Sequence, residues 1–208
     1  NSYGNKPILQ TEYSDGDQVT SHDACMNLAV LMHNSLVEEG VAAYLYWQLT
    51  WGNGGLVSIT SDSWTINPIY YAMLHYSKFT DPGWSRVEAS TNSSALRISA
   101  YISPDNSGLC VVVINTSSNS IDLSLSLEGY SSSASEVYQT TQSEKAAYVG
   151  TFDESDPMTL PGRSVTTVSL TSGGSTTTTA STTTTSETTS TTTTSEEQET
   201  IIIQENET

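Results

Sequence analysis

Two kinds of hydrophobic spacing divide the first 170 residues of the chain. Up to about residue 80, apolar runs alternate with segments in which apolar residues recur every three to four positions. Pro7–Thr11 and Val41–Leu49 show the first pattern, and segments that start near Ser21 and Asn67 show the second. Apolar runs of this length are typical of buried strands, and the wider spacing is typical of amphipathic helices. The order predicts two successive βα units with parallel strands.

The pattern changes after Asp81-Pro82-Gly83, which is a turn sequence. Short apolar runs then follow one another, separated by turn residues and without helical spacing. Six runs are predicted as strands: Ser85–Glu88, Leu96–Ile102, Leu109–Ile114, Ile121–Leu127, Ala134–Gln139 and Ser164–Leu170. Many short strands joined by turns are typical of an antiparallel β-sandwich. The fold class is therefore α/β followed by all-β.

The composition changes again at Thr171, after which the chain consists almost entirely of Thr and Ser. Such a segment cannot bury enough apolar surface to offset the entropy of ordering, so we predict that it is disordered. It could serve as an O-glycosylated stalk or as a plain linker. The predicted organisation is an α/β part over residues 1–82, a β-sandwich over 83–170 and a Ser/Thr-rich tail over 171–208.

Charge and length narrow the classes of function. The 208 residues include 6 Lys and Arg against 23 Asp and Glu, a net charge of −17. Such acidity argues against nucleic acid and anionic membranes as partners, and no apolar run is long enough to span a bilayer. A complete (β/α)₈ barrel takes about 250 residues, and the chain starts at Asn1 without a leader. We therefore expect a portion of a larger protein.

One carboxylate and one indole stand where chemistry is expected in an α/β fold. Glu12 follows the first predicted strand and Trp47 lies near the end of the second. The carboxyl ends of parallel strands meet at one edge, where reacting groups collect. A carboxylate there could be a nucleophile, and an aromatic face beside it suits a sugar ring. Tyr13 and Tyr46 could join this site, although Glu12 could equally be a surface residue and the tyrosines could be packing residues.

Metal and cofactor motifs are missing from the sequence. The three histidines have no ligand spacing, and neither H-E-x-x-H, C-x-x-C nor a Gly-rich phosphate loop occurs. We expect no metal and no cofactor. Cys25 and Cys110 lie in different predicted units and are interpreted as small buried apolar residues, with a disulfide left open.

Three ordered segments resemble the C-terminal half of family 30 glycoside hydrolases, and their xylanase branch in particular. They are Lys6–Ser14, Ala43–Leu49 and Tyr76–Val87, and the similarity continues into Leu160–Thr167. The resemblance implies strands 7 and 8 of a (β/α)₈ TIM barrel followed by a β-sandwich side domain. It also implies a secreted, monomeric endo-β-1,4-xylanase whose partner is the polysaccharide xylan.

The resemblance also assigns roles to the candidate residues. Glu12 falls on the nucleophile of a retaining glycosidase, and Trp47 falls on a residue that lines the subsite where the bond breaks. Tyr13 and Tyr46 are further substrate-binding candidates. The acid/base Glu would come from the fourth barrel strand, upstream of this chain, so we predict little or no hydrolysis by the isolated chain.

One departure from the family concerns the side groups of xylan. Members that require glucuronic acid carry Arg just after the eighth strand, where this chain has Gln48–Asn53 and no positive charge. The expected substrate is xylan without obligatory glucuronate. Two alternatives stay open: another family 30 activity, such as a β-1,6-glucanase or glucosylceramidase, or a non-catalytic secreted polysaccharide-binding module with a mucin-like tail.

Overall fold

The computed structural model of the protein describes residues 6–16, 18–52 and 54–173, and the backbone of 199–204. The predicted order of an α/β part and a β-rich part is confirmed in these residues. We call residues 6–82 the α/β part and residues 85–172, together with 199–204, the sandwich. No helix in the described ranges is long and apolar enough to cross a membrane.

The α/β part contains the two predicted βα units. Strand β1 (Leu9–Gln10) pairs in parallel with β2 (Ala43–Tyr44), and Leu9 lies opposite Ala43. Helix α1 (His22–His33) begins at Ser21, whose Oγ accepts the Ala24 N–H at 3.1 Å. This N-cap satisfies one free donor of the first turn.

The ends of these units differ from the prediction. A π-helical turn (Asn34–Glu38) continues α1, and helix α2 (Ile69–Ser77) begins two residues after the predicted start near Asn67. The prediction of a strand over all of Val41–Leu49 was wrong, because ladder pairing within the described residues is limited to β2. Between β2 and α2, a hairpin of β3 (Val57–Ile59) and β4 (Trp64–Ile66) was not predicted.

The remaining strands form the sandwich. In chain order they are β5 (Ser85–Thr91), β6 (Leu96–Ile102), β7 (Gly108–Asn115), β8 (Ile121–Leu127), β9 (Ser132–Thr140), β10 (Ala147–Gly150), β11 (Met158–Leu160), β12 (Ser164–Ser172) and β13 (Glu199–Gln204). Their hydrogen-bonded order is β10-β9-β12-β7-β6-β5-β13-β8-β11. All neighbours are antiparallel except β13 and β8, which are parallel.

Strand β5 belongs to both layers of the sandwich. Its first half, Ser85–Val87, pairs with β6, whereas its second half, Glu88–Thr91, pairs with β13. The strand therefore passes from the larger sheet (β10-β9-β12-β7-β6) to a smaller one (β13-β8-β11). Strands that change sheets in this way form the corners of β-sandwiches.

The larger sheet is covered on both faces. One face packs against the smaller sheet in a core that includes Val111 and Leu125. The other face packs against α1 and α2 in a core that includes Val112 and Leu28. Leu109–Asn115 of β7 is consequently buried throughout, which explains why this strand has an unbroken apolar run instead of alternation.

A buried histidine joins α2 to this sheet. His75 Nδ1 lies 2.7 Å from Thr167 Oγ1, and His75 Nε2 lies 2.8 Å from Thr140 Oγ1. Because the Thr167 hydroxyl donates to the His75 carbonyl, Nδ1 must be the ring donor and Nε2 accepts from Thr140. Burial lowers the pKa of His75 to about 3, so the ring stays neutral.

The prediction of a disordered segment beyond Leu170 was wrong at two places. Strand β12 continues to Ser172, and Glu199–Gln204 forms β13. The second segment contains three consecutive β-branched isoleucines, which favour a strand wherever pairing partners exist. Residues 174–198 and 205–208 lie outside the described residues.

Candidate active site

Glu12 and Trp47 lie just past the carboxyl end of the parallel pair, on neighbouring backbone segments. The Trp47 N–H donates to the carbonyl of Tyr13, the residue after Glu12, at 2.7 Å. The Leu45 N–H likewise donates to the Gln10 carbonyl at 2.8 Å. The parallel alignment thus continues past β1 and β2 up to the candidate residues. Both side chains are open to solvent, and Trp47 is 47% exposed.

Tyr13 and Tyr46 have a different environment. They belong to a half-buried cluster with Tyr44, in which the Tyr13 ring centroid lies 6.2 Å from that of Tyr46 and 6.3 Å from that of Tyr44. All three rings pack against the core that α1 and α2 form with the larger sheet. Burial raises the pKa of Tyr13 and of Tyr46, so both phenols are neutral hydrogen-bond donors at ordinary pH.

The structure thus separates the four predicted site residues into two pairs. Glu12 and Trp47 are exposed, whereas Tyr13 and Tyr46 are half-buried and pack against the core. Sequence alternation alone could not separate the pairs, because ladder pairing ends at β1 and β2 and the chain beyond them is irregular.

Two loops that follow the strands touch each other, and this contact was not foreseen. Tyr46 Oη accepts the Asp15 N–H at 3.4 Å and donates to the Gly54 carbonyl at 3.4 Å. A Cβ on Gly54 would lie 2.7 Å from the Gly16 carbonyl oxygen, so the loops can meet only because this residue lacks a side chain. The Gly52-Asn53-Gly54-Gly55 sequence was a signal for such a close approach.

The β3–β4 hairpin lies next to the loop that follows β2. Val57 N–H donates to the Leu49 carbonyl at 2.8 Å, and Thr50 and Val57 form a parallel bridge. The hairpin is therefore hydrogen-bonded to the segment that follows β2. It places Trp64 opposite Ile59, with the indole 68% exposed. Together with Trp51, which is also exposed, it adds aromatic surface to the edge that carries Trp47.

A cleft of about 460 Å³ lies between the two helices, β2 and the start of the sandwich, with Tyr44 and Trp84 in its wall; neither Glu12 nor Trp47 lines it. Groups of His, Cys, Asp and Glu able to hold a metal ion are absent from the part of the chain that the structure describes. Cys25 and Cys110 are buried free thiols, so the two units are not joined by a disulfide.

Comparison with known proteins indicates which family this chain resembles. Residues 85–168 match the glycosyl hydrolase family 30 beta sandwich domain. A GH30 endoxylanase from Clostridium papyrosolvens C71 superposes with a TM-score of 0.69 at 28% identity, over 82% of this chain and 43% of that one. This chain resembles the C-terminal portion of family 30 xylanases.

Two further relatives are consistent with the same family 30 branch. The catalytic domain of GH30 xylanase C from Talaromyces cellulolyticus has a TM-score of 0.71 at 25% identity, over 81% of this chain and 41% of that chain. Glucuronoxylanase XynC of Bacillus subtilis (strain 168) is 30% identical over 121 residues, which are 58% of this chain and 27% of the relative. The chain thus spans less than half the length of the family 30 proteins that it matches.

Proposed function

We propose that this chain is the C-terminal part of a secreted, retaining endo-β-1,4-xylanase. Glu12 is the nucleophile, and Trp47 stacks against the sugar whose glycosidic bond is cleaved. The observation that carries the proposal is an exposed carboxylate and an exposed indole just past the carboxyl ends of two adjacent parallel strands, in a chain similar to xylanases.

The chemistry follows from these two groups. The Glu12 carboxylate attacks the anomeric carbon, and the bond to the leaving sugar breaks as a covalent glycosyl-enzyme forms. Retaining hydrolysis then needs a second carboxyl group about 5–5.5 Å away, which protonates the leaving oxygen and later activates water. We propose that this acid/base residue comes from the part of the enzyme that precedes Asn1.

Tyr13 and Tyr46 are proposed to affect the substrate only by positioning Glu12 and Trp47. The two rings contact each other, and the Trp47 N–H donates to the Tyr13 carbonyl. The Tyr46 hydroxyl joins the loops after both strands. Loss of either ring should therefore move the site and weaken catalysis without removing a reacting group.

The proposed substrate is neutral xylan. The six Lys and Arg of the chain include none between Pro7 and Ser77, so neither loop at this edge offers a cation to a glucuronate carboxylate. Among its relatives, the Bacillus subtilis protein bears the name glucuronoxylanase. We propose that this chain differs from such enzymes by accepting xylan without that side group, and that the polymer is met outside the cell.

The nucleophile assignment is tested in the complete enzyme that contains this chain. We expect Glu12→Ala to abolish xylan hydrolysis, because no covalent intermediate can form. Azide, a small external nucleophile, should then restore cleavage of an activated aryl xyloside and yield a glycosyl azide. Glu39→Gln is the matched control, since Glu39 is an exposed carboxylate on the connection between α1 and β2, and it should retain full activity.

Substantial hydrolysis by Glu12→Ala without azide would reject the nucleophile assignment. Hydrolysis by the isolated 208-residue chain that Glu12→Gln removes would instead reject the upstream origin of the acid/base residue, because this chain would then hold both carboxylates. Binding of xylan by the complete protein with no turnover would favour the polysaccharide-binding module, and turnover of a β-1,6-glucan or glucosylceramide would favour the other family activities.

Side-group preference is measured separately. The complete enzyme should cleave unsubstituted xylan and glucuronate-bearing xylan with similar kcat/KM. Trp51→Arg places a cation in the loop after β2 and should shift the ratio toward the substituted polymer, with Trp51→Gln as the uncharged control. A strong preference of the unaltered enzyme for glucuronoxylan would reject the neutral-substrate proposal.

A further inference from the structure

The β3–β4 hairpin carries two large apolar side chains that the described fold does not bury. Ile59 lies directly opposite Trp64 in the ladder, and their side chains are 51% and 68% exposed. Neither belongs to the two hydrophobic cores that the described residues form. Adjacent apolar side chains of this size, open to water, are typical of surfaces that bind a ligand or a partner.

The two side chains lie on one face of the hairpin. Because side chains alternate along a strand, Ile59 and Trp64 share their face with the pair Val57 and Ile66, whereas Thr65 points to the other face. Val57 and Ile66, at the base of the hairpin, are only partly exposed. The apolar face is therefore covered at its base and open at its tip.

Hydrogen bonds fix both ends of the hairpin. At the tip, the Thr60 N–H donates to the Ser63 carbonyl at 2.9 Å, and the Ser63 N–H donates to Thr60 Oγ1 at 3.1 Å. At the base, the buried Asn67 side-chain amide donates to the Gly55 carbonyl at 2.7 Å and to Ser58 Oγ at 2.8 Å. The backbone that carries the exposed indole is thus ordered before a ligand binds, which lowers the entropy cost of binding.

The hairpin leads away from the candidate active site along the same edge. Thr50 and Val57 form a parallel bridge, so β3 runs in the same direction as the segment that follows Trp47. From Trp47 to Thr50 and on from Val57 to Ile59 there are five residue steps, which span at most about 18 Å. A polymer bound at Trp47 can reach this tip, whereas a single sugar cannot.

The composition of the hairpin favours a neutral ligand. Residues 55–67 contain one charged side chain, Asp62, and no Lys or Arg, so an anionic ligand would find no cation here. The C–H face of a sugar ring packs well against an indole, while its hydroxyls need polar partners. Ser61 and Ser63, beside Trp64, are exposed and offer such hydroxyl groups.

We propose that the tip of the hairpin, with Trp64 at its centre, is a second sugar-binding surface for the xylan chain that Trp47 holds at the point of cleavage. It binds sugar residues remote from the bond that breaks. It therefore strengthens the binding of long chains and takes no part in the chemistry. The identity of the polymer rests on the proposed function.

Chain-length dependence in the complete enzyme tests this surface. Trp64→Ala removes one stacking contact and should raise the KM for long xylan roughly three- to tenfold, with kcat unchanged. An activated aryl xyloside, which reaches only Trp47, should be cleaved as before. Trp64→Phe should keep most of the affinity for xylan. Thr65→Ala, on the opposite face of the hairpin, is the matched control and should change neither substrate.

Binding without turnover separates this inference from the proposed function. In the Glu12→Ala background, titration with xylohexaose should show roughly three- to tenfold weaker binding when Trp64→Ala is added. This difference in an enzyme whose unaltered form does not cleave xylan would reject the proposed function alone.

Two results would overturn the second surface itself. One is equal affinity for xylohexaose with and without the Trp64 indole. The other is a loss of the same size on xylan and on the aryl xyloside, with a lower melting temperature of Trp64→Ala. That result would show that an upstream part of the enzyme packs on the indole.

Discussion

The α/β part and the sandwich differ in how completely their strands are paired. In the described residues, β1 and β2 pair only with each other, and large apolar side chains around them are exposed: Ile8, Leu9, Leu45, Trp47 and Leu49. In the sandwich, β7 has a neighbour on each side and is buried from Leu109 to Asn115. Open strand edges with apolar surface are places where further structure or a partner binds.

The difference shows which face of each unit is covered by other parts of the chain. The helices of the α/β part are packed against the larger sheet, and the opposite face of β1 and β2 is not covered within the described residues. Glu12 and Trp47 lie at the end of this uncovered pair. This arrangement is what the proposed function requires, since the remaining barrel strands would cover the apolar face and bring the second carboxylate.

The largest expected effect contrasts two leucines. Leu109→Ala opens a cavity where the side chain is 1% exposed and should lower the free energy of unfolding by about 2–5 kcal/mol. Leu49→Ala, where the side chain is 59% exposed, should change it by about 0.5 kcal/mol or less. Urea denaturation of both variants measures the contrast. Similar losses at the two sites would mean that Leu49 is covered in solution.

The next effect concerns the contact between the two units. His75→Leu leaves the hydroxyls of Thr140 and Thr167 without their ring partners and should cost about 1–3 kcal/mol of unfolding free energy. Ser77→Ala, at an exposed position of the same helix, is the control and should be nearly neutral. Chemical denaturation reports the loss, and equal stability of the two variants would contradict the role given to His75.

The pH dependence of stability is a second test of the contact between α2 and the larger sheet. Burial lowers the pKa of His75 to about 3 and that of His33 to about 4, whereas an unfolded histidine has a pKa near about 6.5. The unfolded chain therefore binds more protons, and stability present above about pH 6.5 is lost as the pH falls toward the folded pKa values.

Each histidine can contribute a slope of up to about 1.4 kcal/mol per pH unit. We expect the free energy of unfolding to fall between pH 6.5 and 4.5, and His75→Gln to fall less over that range. Denaturation curves at fixed ionic strength measure this difference. Parallel curves for the variant and the unaltered chain would show that His75 does not carry the dependence.

The smallest expected effect is the ion pair between the units. Arg163 Nη2 lies 2.7 Å from Asp23 Oδ1, but the side chains are 43% and 76% exposed. Asp23→Asn should therefore change the unfolding free energy by about 1 kcal/mol or less. Adding salt should reduce the difference further. A loss as large as that of His75→Leu would show that Asp23 is not solvent-screened.

The sequence predicted most of the fold in segments where one hydrophobic pattern extends over a whole element. The limits of β6 and β8 coincide with the predicted runs Leu96–Ile102 and Ile121–Leu127. Both strands are flanked by turns and use regular pairing. The strands that were missed are short, such as Met158–Leu160, or depend on a partner distant in sequence, as β13 does. A strand of this kind has no local signal beyond its β-branched residues.

The candidate site was predictable only in part. A strand-end position was enough to select Glu12 and Trp47 as candidates, and their roles stay predictions. That the rings of Tyr13 and Tyr46 pack toward the helices depends on how the chain turns after β1 and β2, which alternation does not encode. The loop contact at Gly54 and the exposed Trp64 likewise arise from tertiary geometry.

The larger sheet of the sandwich has a consequence for modularity. The outer face of this sheet forms one side of the core that it shares with α1 and α2. A cut near Asp81 would therefore expose a set of side chains that are now buried: Tyr101, Cys110, Val112, Ile114 and Val165. The sandwich is thus not an interchangeable module, although its strands are contiguous in sequence. A swap between relatives should carry α1 and α2 along with it, and the two units should unfold in a single cooperative step.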